Sequence, residues 1–208
     1  MILGPPDIIH CPHCNASYQK QNLISGNTFG GMHFSDGQHH YPMLPSHPQL
    51  TVCNACNNFF WVKDLASLEN MREFQGDEDP AYVRWPELDE WVSALEYRIF
   101  RGEEEEIYIR THIWWILNNK FRVEDRIKPR NEEFPAKLYE ENLIALLRLR
   151  MSETNPDPIL LAEIHRELGF FDKALELLEQ SDNARQKDIV QQIREKALLH
   201  NPFMFKLN

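Results

Sequence analysis

Positive charge is scarce in the first part of this chain. Residues 1–62 hold one lysine, Lys20, and neither arginine nor glutamate. Over the whole chain, 22 Lys and Arg face 32 Asp and Glu, a formal charge of -10. Such a balance argues against nucleic acid or an anionic membrane as partner. Long apolar runs are missing too. The longest, Ile113-Trp114-Trp115-Ile116-Leu117, falls far short of the roughly 20 residues a membrane helix needs. The opening residues Met1–Asp7 lack a basic flank and are broken by Pro5 and Pro6, so no export signal is expected. No HExxH pattern is present, which removes the commonest helical zinc-hydrolase signature. With 42% hydrophobic and 26% charged residues the chain reads as folded rather than disordered.

Cysteine is sparse but ordered. All four cysteines fall in two Cys-x-x-Cys pairs, Cys11-Pro12-His13-Cys14 and Cys53-Asn54-Ala55-Cys56. A disulfide framework seldom uses every cysteine in such pairs, so the thiols are read as reduced and metal-bound, in a cytoplasmic protein. Two residues between thiolates let both sulfurs face one ion across a tight turn. Two such turns supply the four soft ligands of a closed tetrahedral site. Asn15 and Asn57 follow the pairs, where the backbone needs a left-handed residue. Zinc is the expected metal, and iron suits the same ligands. His10 and His13 are alternative ligands, but four thiolates already complete the shell. A closed shell leaves no position for a reacting water, so the metal is expected to fold the segment rather than to catalyse.

Composition divides the chain at about residue 62. Residues 1–62 contain five of eight glycines, six of thirteen prolines and six of nine histidines, whereas residues 63–208 carry 21 basic and 30 acidic residues. The first part reads as short strands around two knuckles: Ile8-Ile9 and Tyr18 flank one, Leu50-Thr51-Val52 and Phe59-Phe60-Trp61-Val62 the other. This predicts a zinc-ribbon-like β domain over 1–62. Asp36-Gly37 marks a hairpin turn in the insertion between the knuckles, and Gly30-Gly31 a bulge or a close backbone approach. His33, His39, His40 and His47 crowd the same insertion. They are read as a polar hairpin, with a second metal or proton-transfer site as the functional alternative. The aromatic run Phe59–Trp61 is read as a strand facing a core, with base stacking as the alternative.

Residues 63–208 read as an all-α domain. Helices are expected from Asp64 to about Phe74 and from Pro86 to a stop at Gly102. The third opens at Glu103–Glu106 as a solvated acidic helix start, with the stripe Ile107, Trp114, Leu117 and Phe121. The fourth, Pro135 to about Met151, is read as central. From Ile159 to Leu178 the residues Ala162, Gly169, Phe171 and Ala174 resemble a tetratricopeptide-type helical hairpin, and His165 is read as packed core. A last helix is expected from about Ala184 to Leu199, and the apolar Phe203-Met204-Phe205 as packing on the bundle or covering a dimer contact.

The two knuckles and the Gly169 hairpin together resemble a group of uncharacterised bacterial proteins with an N-terminal zinc ribbon and a tetratricopeptide-like helical region from about residue 136. The resemblance implies an α+β chain, a small zinc-ribbon module followed by a helical bundle, and protein–protein contact as its role. The expectation is therefore a non-catalytic, cytoplasmic zinc-binding interaction or scaffold protein with one metal held by Cys11, Cys14, Cys53 and Cys56. No catalytic residues, nucleic acid or membrane partner are expected. The alternatives are a metal-dependent enzyme using the histidine-rich insertion and, further off, a nucleic-acid-binding ribbon relying on Lys20 and Phe59–Trp61.

Overall fold

The computed structural model describes residues 1–65, the backbone of 69–70, and residues 79–122, 134–181 and 186–208. Its strands are short: β1 (Ile2–Leu3), β2 (Asp7–His10), β3 (Ser17–Lys20), β4 (Leu23–Ser25), β5 (Met32–His33), β6 (His39–His40), β7 (Leu50–Val52), β8 (Phe59–Trp61), β9 (Glu69–Asn70) and β10 (Ala81–Tyr82). Six helices occur among the described residues: α1 (Leu88–Glu96), α2 (Glu103–Asn118), α3 (Ala136–Ser152), α4 (Pro158–Glu167), α5 (Phe171–Glu179) and α6 (Lys187–Leu198). The class is α+β. No helix among the described residues is long and apolar enough to cross a membrane.

Two compact units form. One joins Met1–Gly31 with Tyr41–Ile99, the other Met32–His40 with Phe100–Asn208. Their borders do not follow the change in composition at residue 62. Residues 63–99 go with the knuckles, and the hairpin between the knuckles goes with the helices.

In the first unit, β2 and β3 pair antiparallel, β9 joins the free edge of β2, and β10 runs parallel to β3. The antiparallel pair β7–β8 forms a separate ladder, with Thr51 opposite Phe60. Ile9, Tyr18, Phe60, Val62 and Val83 close over Cys11 and Cys53 in one small apolar cluster. The described residues of the helix expected from Asp64 to Phe74 are not α-helical. Val62–Asp64 is a single 3-10 turn, and Glu69–Asn70 pairs with Asp7–Ile8 as an edge strand. The open edge of β2 offers unpaired backbone groups, and satisfying them outweighs a local helical pattern. Leu68 and Met71, assigned to that helix, lie outside the described residues. Helix α1 starts on the reciprocal cap of Glu87 and Glu90, one residue after Pro86. It ends at Glu96, where Arg98 turns left-handed at φ 53°. Gly102 caps the start of α2 and does not stop α1.

In the second unit, the acidic start of α2 is more than a solvated end. Glu105 is buried and accepts from the Arg101 backbone N–H at 2.8 Å, and Glu106 pairs with Arg110 at 2.6 Å. Helix α2 buries Ile107, Ile109, Ile113, Trp114 and Leu117. Helix α3 buries one face only, Tyr139, Asn142, Leu143 and Leu146, so it is not the central helix its leucine content suggests. Asp157 caps α4 by accepting from Ile159 N–H at 2.9 Å, with Pro158 in the first turn. Helices α4, α5 and α6 share a core of Ile159, Ala162, Ala174, Leu178, Ile193 and Ala197. The α4–α5 turn rests on Gly169 at φ +86°. A side chain is strained there whatever the space, so Gly169→Ala is expected to lower stability by about 1 kcal/mol, measured by urea unfolding. An unchanged midpoint would contradict this reading of the turn.

Candidate metal centre

Each Cys-x-x-Cys turn is closed by the same pair of backbone hydrogen bonds. Cys11 N–H donates to Ala16 O at 2.9 Å, and Asn15 N–H to Cys11 O at 2.9 Å. The second knuckle repeats this with Cys53 N–H to Asn58 O at 2.9 Å and Asn57 N–H to Cys53 O at 2.8 Å. Closing each loop needs a left-handed residue, and Asn15 (φ 63°) and Asn57 (φ 57°) supply it. The turns sit at the ends of β2–β3 and β7–β8, which bring them together.

The result is a cluster of Cys11, Cys14, Cys53 and Cys56 whose Sγ atoms all lie within 4.8 Å of one another. Across the knuckles, Cys11 and Cys56 are 3.8 Å apart and Cys14 and Cys53 3.5 Å. A tetrahedron with metal–sulfur bonds of about 2.3 Å requires sulfurs about 3.8 Å apart, so the cage fits a metal ion of that kind. Among the described residues it is the one group of three or more His, Cys, Asp or Glu side chains close enough to share an ion.

The surroundings prepare the sulfurs for a cation. Burial raises the Cys53 thiol, but the Tyr18 hydroxyl and the amides of Cys56 and Ala55 outweigh it and bring it down to about 6. The Ala16 amide lowers Cys14, yet burial and sharing a proton with Cys53, Cys56 and Cys11 push it up to about 12. Four sulfurs this close do not all carry charge without a cation among them, so binding a metal displaces protons. Tyr18 is buried, donates its hydroxyl to Cys53 Sγ at 3.2 Å and accepts the Asn54 N–H at 2.7 Å. It thereby fixes one ligand and the turn behind it. Tyr18→Phe is expected to weaken metal binding by about 10-fold, measured by competition with a chromophoric chelator. Equal affinity would remove Tyr18 from the site.

The other residues singled out by sequence are placed elsewhere. His10 Nδ1 lies 3.1 Å from Ser17 Oγ, and His13 Nε2 3.1 Å from the Phe59 carbonyl. Lys20 faces Asp7 at 4.0 Å. Phe60 and Trp61 are buried, and the Trp61 indole donates to Ile99 O at 2.9 Å. The histidines of the insertion form no shared ligand group among the described residues. His33 and His39 face each other across β5–β6 with rings 5.6 Å apart, and burial lowers His39 first, with His33 adding to it. His40 stands opposite Met32. His47 belongs to the other unit, beside Pro48 O at 3.3 Å. His165 is half-buried beside Phe170, with ring centroids 6.1 Å apart. Met204 is buried, and Phe203 packs on Phe121 at 5.1 Å within the second unit.

Sequence reading missed a second constellation, in the second unit. The side chains of Asp36, Glu163, Arg166 and Glu167 are all 0% exposed, and that of Arg122 11%. Arg122 grips both carboxylate oxygens of Asp36. Arg166 grips Glu163 through Nε at 2.8 Å and through Nη2. Between them, Asn118 Nδ2 donates to Asp36 Oδ2 at 2.9 Å and to Glu167 Oε2 at 3.1 Å. Trp114 Nε1 donates to Glu167 Oε2 at 2.7 Å, and the Tyr139 hydroxyl meets the same oxygen. Asp36 thus does more than turn a hairpin. The available signal was the set Glu163, Arg166 and Glu167, at i, i+3 and i+4 beside the apolar face of α4.

No protein-family profile, curated protein or solved structure matches the chain.

Proposed function

We propose that this is a non-catalytic zinc protein of the cytoplasm that serves as an interaction or scaffold module. The observation that carries the proposal is the four-sulfur cage, whose S–S separations suit zinc and whose closed ligand set leaves no position for a substrate or a reacting water. The α4–α5 pair, turning at Gly169 with Ala162 and Ala174 buried in a shared core, supports the reading of a tetratricopeptide-like hairpin, a geometry used for protein contact. Burial of Phe60 and Trp61 and the pairing of Lys20 with Asp7 favour this reading over a nucleic-acid ribbon. The test is metal analysis of full-length protein purified without a histidine tag, together with turnover screens with and without added metal. One zinc per chain and no metal-dependent turnover are expected. Two metals per chain, or an exchangeable water on the ion, would favour the enzyme reading based on the histidines of the hairpin.

A further inference from the structure

Three carboxylates and two guanidiniums are enclosed together in the second unit, so among the described residues the buried array is one positive charge short. Geometry says which acid bears the deficit. Arg122 is committed to Asp36, and Arg166 to Glu163. Glu167 is left 3.9 Å from Arg166, beyond hydrogen-bond reach. Arg166 is thus shared between two buried acids, and a carboxylate enclosed with only part of a cation is costly enough to favour taking up a proton.

We infer that Glu167 is held as the neutral acid, and that docking of the Met32–His40 hairpin on the helices is linked to that proton. The hydrogen bonds accommodate it. The acid proton of Glu167 goes to the Tyr139 oxygen, and the Tyr139 hydroxyl turns to Asn118 Oδ1, 3.2 Å away. Asn118 Nδ2 keeps its bonds to both acids. The charged and titratable groups facing Glu167 are Glu163 and Arg166 from α4, Tyr139 from α3, and Asp36 from the hairpin with its partner Arg122 beyond α2. Docking brings the Asp36 carboxylate to the same asparagine that serves Glu167. Desolvation first, then Glu163, raises Glu167 from 4.5 to about 8, and Asp36 adds to the rise.

The hairpin has two further attachments. The Trp115 indole donates to Asp36 O at 3.0 Å. The segment after α6 meets it in a single antiparallel bridge, Phe34 opposite Lys206, with Ser35 N–H on Phe205 O at 2.9 Å and Leu207 N–H on His33 O at 2.9 Å. Arg166 holds that segment through the carbonyls of Asn201 and Phe203. Proton, hairpin and C-terminal segment are therefore coupled through one array.

The sign is fixed by linkage. The docked state holds a proton that the released state gives up. Docking is strongest while both states hold the proton, weakens as pH rises through the range in which only the docked state keeps it, and levels off above about 8. The experiment is amide exchange on the full-length protein between pH 5.5 and 8, each rate divided by its intrinsic rate. The Ser35 and Leu207 amides are expected to lose protection as pH rises, by at most about tenfold per pH unit, the limit for one proton, while remaining less protected than the Leu143 amide. In Glu167→Gln the slope should vanish. A flat wild-type profile, an unchanged slope in Glu167→Gln, or protection at Ser35 identical to that at Leu143 would overturn the inference. If Glu167→Gln does not fold, carboxyl carbon spectra of glutamate-labelled wild type decide it. One glutamate still protonated at pH 7 supports the proposal, and every glutamate ionised overturns it.

Discussion

Cys53→Ser will release the metal and unfold the strands around both knuckles, while most of the helical circular dichroism remains. Cys53 is fully buried in the apolar cluster that also contains Cys11, Tyr18 and Phe60. That cluster is small, and the strands that frame it are three or four residues long. A core of this size supplies little stability, whereas a structural zinc contributes about 10 kcal/mol or more of folding free energy. Removing one ligand therefore removes most of what holds the knuckles. Helices α2–α6 have their own apolar clusters and keep their signal. The check is zinc content by elemental analysis, with the thermal unfolding of wild type in chelator as control. A variant that retains its zinc and its thermal midpoint would sink the structural-metal reading.

Arg166→Met is the second large effect, at about 3–5 kcal/mol of destabilisation. The substitution leaves Glu163 fully buried without its cation, and the carbonyls of Asn201 and Phe203 without their donor. Most of that cost is the stranded charge rather than the lost attraction. The double variant Glu163→Met with Arg166→Met is thus expected to recover part of it, since a buried pair replaced by apolar groups of similar size is close to neutral. Urea unfolding of the two single variants and the double variant closes the cycle. Strictly additive losses would show that the pair is not coupled.

The knuckles were legible because ligand geometry is local. A Cys-x-x-Cys turn closed by Asn15 or Asn57 is specified within five residues, and the need for four ligands links the two turns. The position of the α2 start and the Gly169 turn were legible for the same reason, whereas the burial of Glu105 was not. What stayed hidden depends on distant partners. Glu69–Asn70 becomes strand only because Asp7–Ile8 offers an edge. Asp36 looks fully explained by its hairpin, since it does accept the Gln38 N–H at 3.2 Å, and its bond to Asn118 spans 82 positions. Glu163 and Glu167 carry charges that a helical pattern normally sends to solvent. They turn inward because Arg166, Trp114 and Tyr139 meet them there.

The hairpin Met32–His40 is encoded between the two cysteine pairs but belongs with the helices. Neither unit is therefore one continuous stretch of polypeptide. A fragment ending near residue 62 would carry Asp36 away from Asn118 and Arg122, and the complementary fragment would be left with an uncovered ionic pocket. Separate expression of the two halves is expected to give insoluble products. A single proteolytic nick in the loops at either side of the hairpin should instead leave the pieces associated until denaturant is added.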